Sequence, residues 1–262
     1  MHSPSFCYKE IKIMNLKGKP FYLDDSAVEW VNKTLEKLTE DEKIGQLFFP
    51  IGFSNEKEYL NHLIDLGIGG LFFRPGEAKE VQQAYEYMQR NSKVPLLTAA
   101  NLEDGGNGAS VEGTAFGNQM AVAATNRTSD AYTLGKIAAT EGKSVGVNFG
   151  FSPVVDLDLN FRNPITNVRT YGSDVERVIK NAKEYIQAFH DNGSMTSIKH
   201  FPGDGVDERD QHLLTSINSL SVNNWRKTFG KVYQELIDFG SKAVMVGHIA
   251  FPAYSGDNMP AT

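Results

Sequence analysis

Residues 195–212 read MTSIKHFPGDGVDERDQH: a short apolar lead-in, the polar pair Lys199-His200, a Phe-Pro-Gly turn, and a charged loop closing on Asp210-Gln211-His212. A buried strand over Thr196–Lys199 that ends abruptly in polar side chains delivers chemistry to the rim of a parallel sheet. Phe201-Pro202 turns the chain away at that rim and is a candidate for a cis bond. Asp210 stands two residues before His212. A carboxylate that close can orient an imidazole, the side chain suited to moving protons near neutrality.

The same grammar recurs on both sides of this stretch. Further strands are predicted at Gln46–Ile51, Gly69–Phe73, Leu96–Ala100, Val145–Phe151 running on to Val155, and Ala243–Gly247. Helix-period segments lie between them at Ser26–Leu38, Glu56–Leu66, Ala78–Asn91, Ser129–Glu141, Asp174–Asn192 and Val222–Phe239. Ser26, Thr39, Ser129, Ser173 and Ser221 are the expected N-caps. Strands without strict alternation are buried on both faces, which leaves a doubly wound sheet or a (β/α)8 barrel. Two observations choose the barrel. Polar residues follow several strands in turn: Asn101 and Glu103, Asp156 and Asp158, Lys199 and His200, then His248. The first strand is followed by Phe53-Ser54-Asn55-Glu56 rather than by a glycine-rich phosphate turn. The expected fold is therefore an α/β barrel of the (β/α)8 type, two strands short of closure and incomplete at the C-terminus, over residues 26–262, with residues 1–25 as an N-terminal extension.

The chain has 262 residues, 40% apolar and 11% aromatic, with a formal net charge of -6. Its lysines and arginines are scattered, which gives no electrostatic footprint for nucleic acid or an anionic membrane, and a small neutral or polar substrate is expected instead. One cysteine, Cys7, excludes an internal disulfide framework, and no apolar run reaches membrane-spanning length. The N-terminus lacks a signal-peptide stretch, so a cytoplasmic location is expected. The residues leave the oligomeric state and any second C-terminal domain open.

KHFPGDG followed by D-Q-H resembles the signature of family 3 glycoside hydrolases, in their β-N-acetylglucosaminidase branch. Phe151–Asp156 (FSPVVD) resembles that family's strand ending in P-V-x-D, and Asn163–Gly172 (NPITNVRTYG) its N-P-x-x-x-x-R-[ST]-[FY]-G. Asn101-Leu102-Glu103-Asp104-Gly105-Gly106 occupies the place of its sugar-binding D-x-E-G-G loop. Several spaced motifs in order carry far more weight than one. The resemblance implies a retaining, exo-acting β-N-acetylhexosaminidase that hydrolyses terminal β-linked N-acetylglucosamine in cell-wall or chitin fragments. It implies His212 as the general acid/base and Asp210 as its orienter, a histidine standing where most glycosidases use a carboxylic acid. It implies Lys199, His200, Arg169 and Asp156 as sugar-site residues. Glu103 or Asp104 covers a hydroxyl where Asn101 replaces the family's aspartate, and His248 is a further candidate contact. Tyr171 and Phe201 are expected to stack on a sugar face. The nucleophilic aspartate of the family is expected beyond Thr262, which leaves a sugar-binding or catalytically inactive module as the alternative. A metal-dependent hydrolase using His200, Asp204, Asp207, Asp210, His212 and His248 is the third reading; no ligand spacing supports it, and neither a metal nor another cofactor is expected.

Overall fold

A computed structural model describes residues 14–19 and 21–262, so Cys7 and most of the expected extension lie outside the described residues. The chain divides into two compact units between Thr39 and Glu40. The first contains helix α1, Asp25–Lys37, whose N-cap is Asp24 rather than Ser26: the Asp24 side chain accepts from the Ala27 N–H at 2.8 Å.

The second unit runs in βα order. It comprises α2 (Glu40–Gly45), β1 (Ile51–Gly52), α3 (Lys57–Asp65), β2 (Gly70–Phe73), α4 (Ala78–Asn91), β3 (Leu97–Ala100), α5 (Gln119–Ala124), α6 (Thr128–Ser144) and β4 (Phe149–Gly150). There follow α7 (Val175–Asp191), β5 (Met195–Phe201), β6 (Ser216–Ile217), α8 (Val222–Lys227), α9 (Phe229–Phe239), β7 (Ala243–Val246), β8 (Ile249–Ala250) and α10 (Pro252–Ser255). Six strands form one parallel sheet in the order β1-β2-β3-β4-β5-β7, and β6 pairs with β8 in a separate two-stranded ladder. Sequential parallel strands joined by helices are the grammar of a (β/α)8 barrel, here an incomplete one.

The strands sort their side chains between two layers. Leu71 and Phe73 of β2, Ala100 of β3 and Ile198 of β5 join the helix side chains Tyr85, Met88, Leu134, Tyr185 and Phe189 in the main core. Phe72, Ala99 and Phe149 point the other way, where Phe49, Ile51, Phe151, Met195 and Ala243 pack against them. The aromatic rings of that second layer lie 5.3–6.2 Å apart in tilted or edge-on pairs. Helix α7 shows why the long helices were legible. Val178, Ile179, Ala182, Tyr185, Ile186 and Phe189 recur at three- and four-residue steps and are all buried. Asp174, not Ser173, caps its start by accepting from the Arg177 N–H.

Several boundaries differ from expectation for physical reasons: β4 spans Phe149–Gly150 where Val145–Phe151 running on to Val155 is predicted, because α6 runs to Ser144 and Val145 caps its end. The first strand begins at Ile51 instead of Gln46 because α2 and its following turn occupy the earlier residues; Pro50 offers only its carbonyl, to the Phe72 N–H at 3.1 Å. The predicted helix over Val222–Phe239 breaks at Thr228, where the indole of Trp225 is drawn toward β5 by its bond to the Pro202 carbonyl at 2.6 Å. Arg127, not Ser129, stands at the N-cap of α6. No helix among the described residues is long and apolar enough to cross a membrane.

Candidate active site

The motif residues lie at the C-terminal end of a strand or on the loop that follows it, where a barrel carries its chemistry. β5 brings Lys199 and His200 to the rim, with the Lys199–His200 and Phe201–Pro202 bonds both cis. The segment after β4 continues beside β5, with the Val155 N–H bonded to the Lys199 carbonyl at 2.8 Å, and so places Asp156 against His200.

Glu103 is the centre of one cluster. Arg169 Nε donates to its Oε2 at 2.7 Å and Arg169 Nη2 to its Oε1 at 2.8 Å, while Lys199 Nζ reaches Oε1 at 2.6 Å. Burial alone would raise the Glu103 carboxyl, but the Arg169 hydrogen bonds and the charges of Lys199 and Arg169 outweigh it and hold the group at about 2. Burial lowers Lys199 more than Glu103 restores it, and Lys199 Nζ also donates to Asn101 Oδ1 at 3.2 Å. Asp104 is different: burial first, and the Glu103 charge second, push its carboxyl up, and its Oδ1 is buried without a hydrogen-bond partner among the described residues. The loop can make this turn because Gly105 adopts φ +134°; a Cβ there would stand 2.1 Å from the Thr114 carbonyl.

Asp156 is the centre of a second, fully buried cluster. Its Oδ1 accepts from the backbone N–H of His200 at 3.1 Å and of Asp204 at 2.8 Å, and its Oδ2 takes His200 Nδ1 at 2.7 Å. The side chain of Asp204 accepts from Asn163, from the Gly205 N–H and from Gln211. Burial, and then the Asp156 charge, push the Asp204 carboxyl up. Gly205 holds φ +94° with its would-be Cβ 2.0 Å from the Leu157 carbonyl, so the motif's second glycine packs backbone on backbone.

The third group is the Asp210–His212 pair on the loop after β5. Asp210 Oδ1 accepts from the His212 N–H at 2.9 Å and meets His212 Nδ1 at 2.7 Å. The His212 N–H first, then its ring, and more weakly the Arg169 charge hold Asp210 below its usual range. A carboxylate only accepts, so His212 Nδ1 carries the proton toward Asp210 and Nε2 is left for other work. The His212 side chain is 64% exposed, open to a ligand at the rim.

The predicted residues thus separate into joined and unjoined sets. Glu103, Arg169, Lys199 and Asn101 meet, as do Asp156 and His200, and Asp210 with His212. His248 is exposed and bonds Thr262 Oγ1 at 2.9 Å through Nδ1. Tyr171 is fully buried and offers no ring face to a sugar, whereas Phe201 is half-buried and packs edge-on with Trp225 and Tyr233. In the sequence Asn163 stands out only as part of the NPITNVRTYG motif. It folds its own turn by accepting from the Ile165 and Thr166 N–H groups and ties that turn to Asp204 at 2.8 Å.

A family model described as the glycosyl hydrolase family 3 N-terminal domain matches residues 39–262. A β-N-acetylglucosaminidase/β-glucosidase of Cellulomonas fimi is 46% identical over 244 residues, covering 93% of this chain and 43% of that protein. A solved β-glucoside phosphorylase is 43% identical with a TM-score of 0.88, covering 94% of this chain and 46% of the other. A family 3 β-N-acetylglucosaminidase structure from a Paenibacillus species has 27% identity and a TM-score of 0.80, over 86% and 44% of the two chains. The chain therefore spans less than half the length of these relatives. Over residues 39–262 it belongs to glycosyl hydrolase family 3, whose N-terminal domain it carries.

Proposed function

We propose that the intact protein is a retaining, exo-acting β-N-acetylhexosaminidase that releases terminal β-linked N-acetylglucosamine, in the turnover of cell-wall or chitin fragments, with His212 as general acid/base. The observation that carries the reading is the 2.7 Å contact between His212 Nδ1 and Asp210 on an open rim. Asp210 fixes the tautomer and aim of the ring. His212 Nε2–H protonates the glycosidic oxygen as the aglycone departs, and the same nitrogen later takes the proton of the incoming acceptor. Lys199 and Arg169 supply donors for sugar hydroxyls and the N-acetyl carbonyl. Asp104 supplies the acceptor in the loop where Glu103 is already occupied by two cations. The attacking carboxylate is assigned to the family's aspartate beyond Thr262.

The test is leaving-group dependence in the intact protein. His212→Ala is expected to cut turnover of an unactivated N-acetylglucosamine disaccharide by about 10²–10⁴-fold, and to affect an activated aryl glycoside far less, since a good leaving group needs little proton donation. Asp210→Asn gives a milder form of the same pattern. Full turnover of the disaccharide by His212→Ala overturns the assignment.

One observation favours a second acceptor. A histidine that has given up its proton is neutral, so it repels an incoming anion less than a carboxylate in the same place, and the phosphorylase relative noted above acts on β-glucosides. Inorganic phosphate added to the intact protein distinguishes the two outcomes: a sugar 1-phosphate product marks phosphorolysis, and free sugar alone marks hydrolysis. Matched glucose and N-acetylglucosamine aryl glycosides separate the sugar classes.

A further inference from the structure

The residue between the two members of the proposed dyad is buried where they are open. Gln211 is 5% exposed, whereas the side chains of Asp210 and His212 are 29% and 64% exposed. Across residues 206–214 it is the single buried position. Its amide is used at both ends: Nε2 donates to Asp204 Oδ2 at 2.7 Å, and Oε1 accepts from the His248 N–H at 3.1 Å. The amide lies close against the end of β7, where a Cβ added at Gly247 would stand 2.6 Å from Gln211 Oε1. Asp204 is itself fixed by Asn163 and by its N–H bond to Asp156, which holds His200. We infer that Gln211 is the positioning residue of the dyad, stapling the acid/base loop to the buried Asp204–Asp156–His200 network on one side and to the end of β7 on the other.

This inference rests on the reading of His212 as acid/base. The first half of the loop is tied to the Asn160–Asn163 segment, whose Asn160 and Asn163 amides donate to the Val206 and Asp207 carbonyls and whose Arg162 bonds Glu208, and the remaining bonds are local or at its base. The Leu213 and Leu214 N–H groups return to the Asp210 carbonyl, Arg209 bonds the Thr215 carbonyl, and Asp207 caps the Ile217 N–H. These bonds shape the loop; the Gln211 amide anchors its tip. Chemistry explains the residue type. An amide donates and accepts at once, whereas a glutamate would set a second carboxylate against Asp204, and an apolar side chain would leave both Asp204 Oδ2 and the His248 N–H without this partner.

The experiment compares variants of the intact protein on an unactivated N-acetylglucosamine disaccharide and an activated aryl glycoside. Gln211→Ala is expected to lower kcat on the disaccharide by about tenfold or more, with KM held and the aryl glycoside changed by less than about twofold. In the double variant with His212→Ala the Gln211 effect vanishes, since a loop without its imidazole has nothing left to aim. Gln211→Glu should recover disaccharide turnover as pH falls, because a protonated carboxyl can donate to Asp204 as the amide does. That rescue also carries the test if Gln211→Ala fails to fold, which thermal melting reports. Equal losses on both substrates, full additivity with His212→Ala, or no acid rescue in Gln211→Glu each overturn the inference while leaving the His212 assignment standing. A His212→Ala variant without leaving-group selectivity overturns both.

Discussion

Glu103 meets Arg169 with both oxygens and Lys199 with one, and these pairings span sequence separations of 66 and 96 residues. The motif loops that carry these residues could be read from the sequence, because each stands in a quoted pattern beside a strand end. That they bind one another could not, since no local spacing records a contact between loops so far apart. The same limit hid Gln211, whose neighbours in D-Q-H drew attention by their charge while its own role is set by Asp204 and His248. The pairing of Glu103 has a consequence for stability. Its carboxyl is held near 2, below the ordinary 4.5, so the folded protein gains when Glu103 is ionised. That gain is fully present above about pH 4.5 and is lost as pH falls toward 2; it amounts to roughly 3 kcal/mol. Asp204 and Asp104 are shifted the other way and regain stability as they protonate, partly offsetting the loss. Chemical denaturation across this range should show Glu103→Gln less stable than the parent at pH 7 and the difference shrinking by pH 3. A gap that stays constant with pH removes Glu103 as an electrostatic keystone of the site.

At the scale of elements, α7 does more than cover the sheet. The Tyr185 hydroxyl, reaching inward from its buried face, bonds the Leu102 carbonyl at 2.6 Å and Ser152 Oγ at 2.7 Å. One side chain thereby joins the Glu103 loop after β3 to the start of the Asp156 segment after β4, while its ring stacks on Phe189 at 4.9 Å. Tyr185→Phe keeps the ring and removes those bonds. It should cost about 1–3 kcal/mol in unfolding free energy, since the buried Leu102 carbonyl loses a partner, and should raise KM more than it lowers kcat. A melting midpoint equal to the parent's argues that the hydroxyl is dispensable. Tyr185 itself was legible only as a core position. Long periodic elements such as α4 and α7 were readable because a stripe of apolar residues repeats over several turns. The short ones were not: α5 has six residues, and β6 and β8 have two each, too few for any period to declare itself. Their places are set by tertiary bonds such as those from the Gln119 amide to the Val154 backbone.

Over the whole molecule, the excess of acidic residues behind the net charge of -6 does not collect into a cation site among the described residues. Three of the carboxylates nearest the proposed chemistry are engaged by protein donors. Glu103 holds Arg169 and Lys199, Asp156 holds His200 and two backbone N–H groups, and Asp204 holds Asn163, Gly205 and Gln211. The histidines that a metal reading would recruit are likewise turned to separate partners, His200 to Asp156, His212 to Asp210 and His248 to Thr262. Binding a divalent ion here would require breaking several of these bonds at once, most of them to a carboxylate and each costing about 1–3 kcal/mol to lose. A glycoside-cleaving reaction run by an imidazole and a carboxylate asks for no such ion. The intact protein, dialysed against EDTA and assayed with the chelator present, is therefore expected to turn over an aryl N-acetylglucosaminide at its untreated rate. Loss of activity that zinc or manganese then restores would show that the carboxylates and histidines rearrange around a metal in the working enzyme. The metal-dependent reading would then displace the acid/base reading of His212.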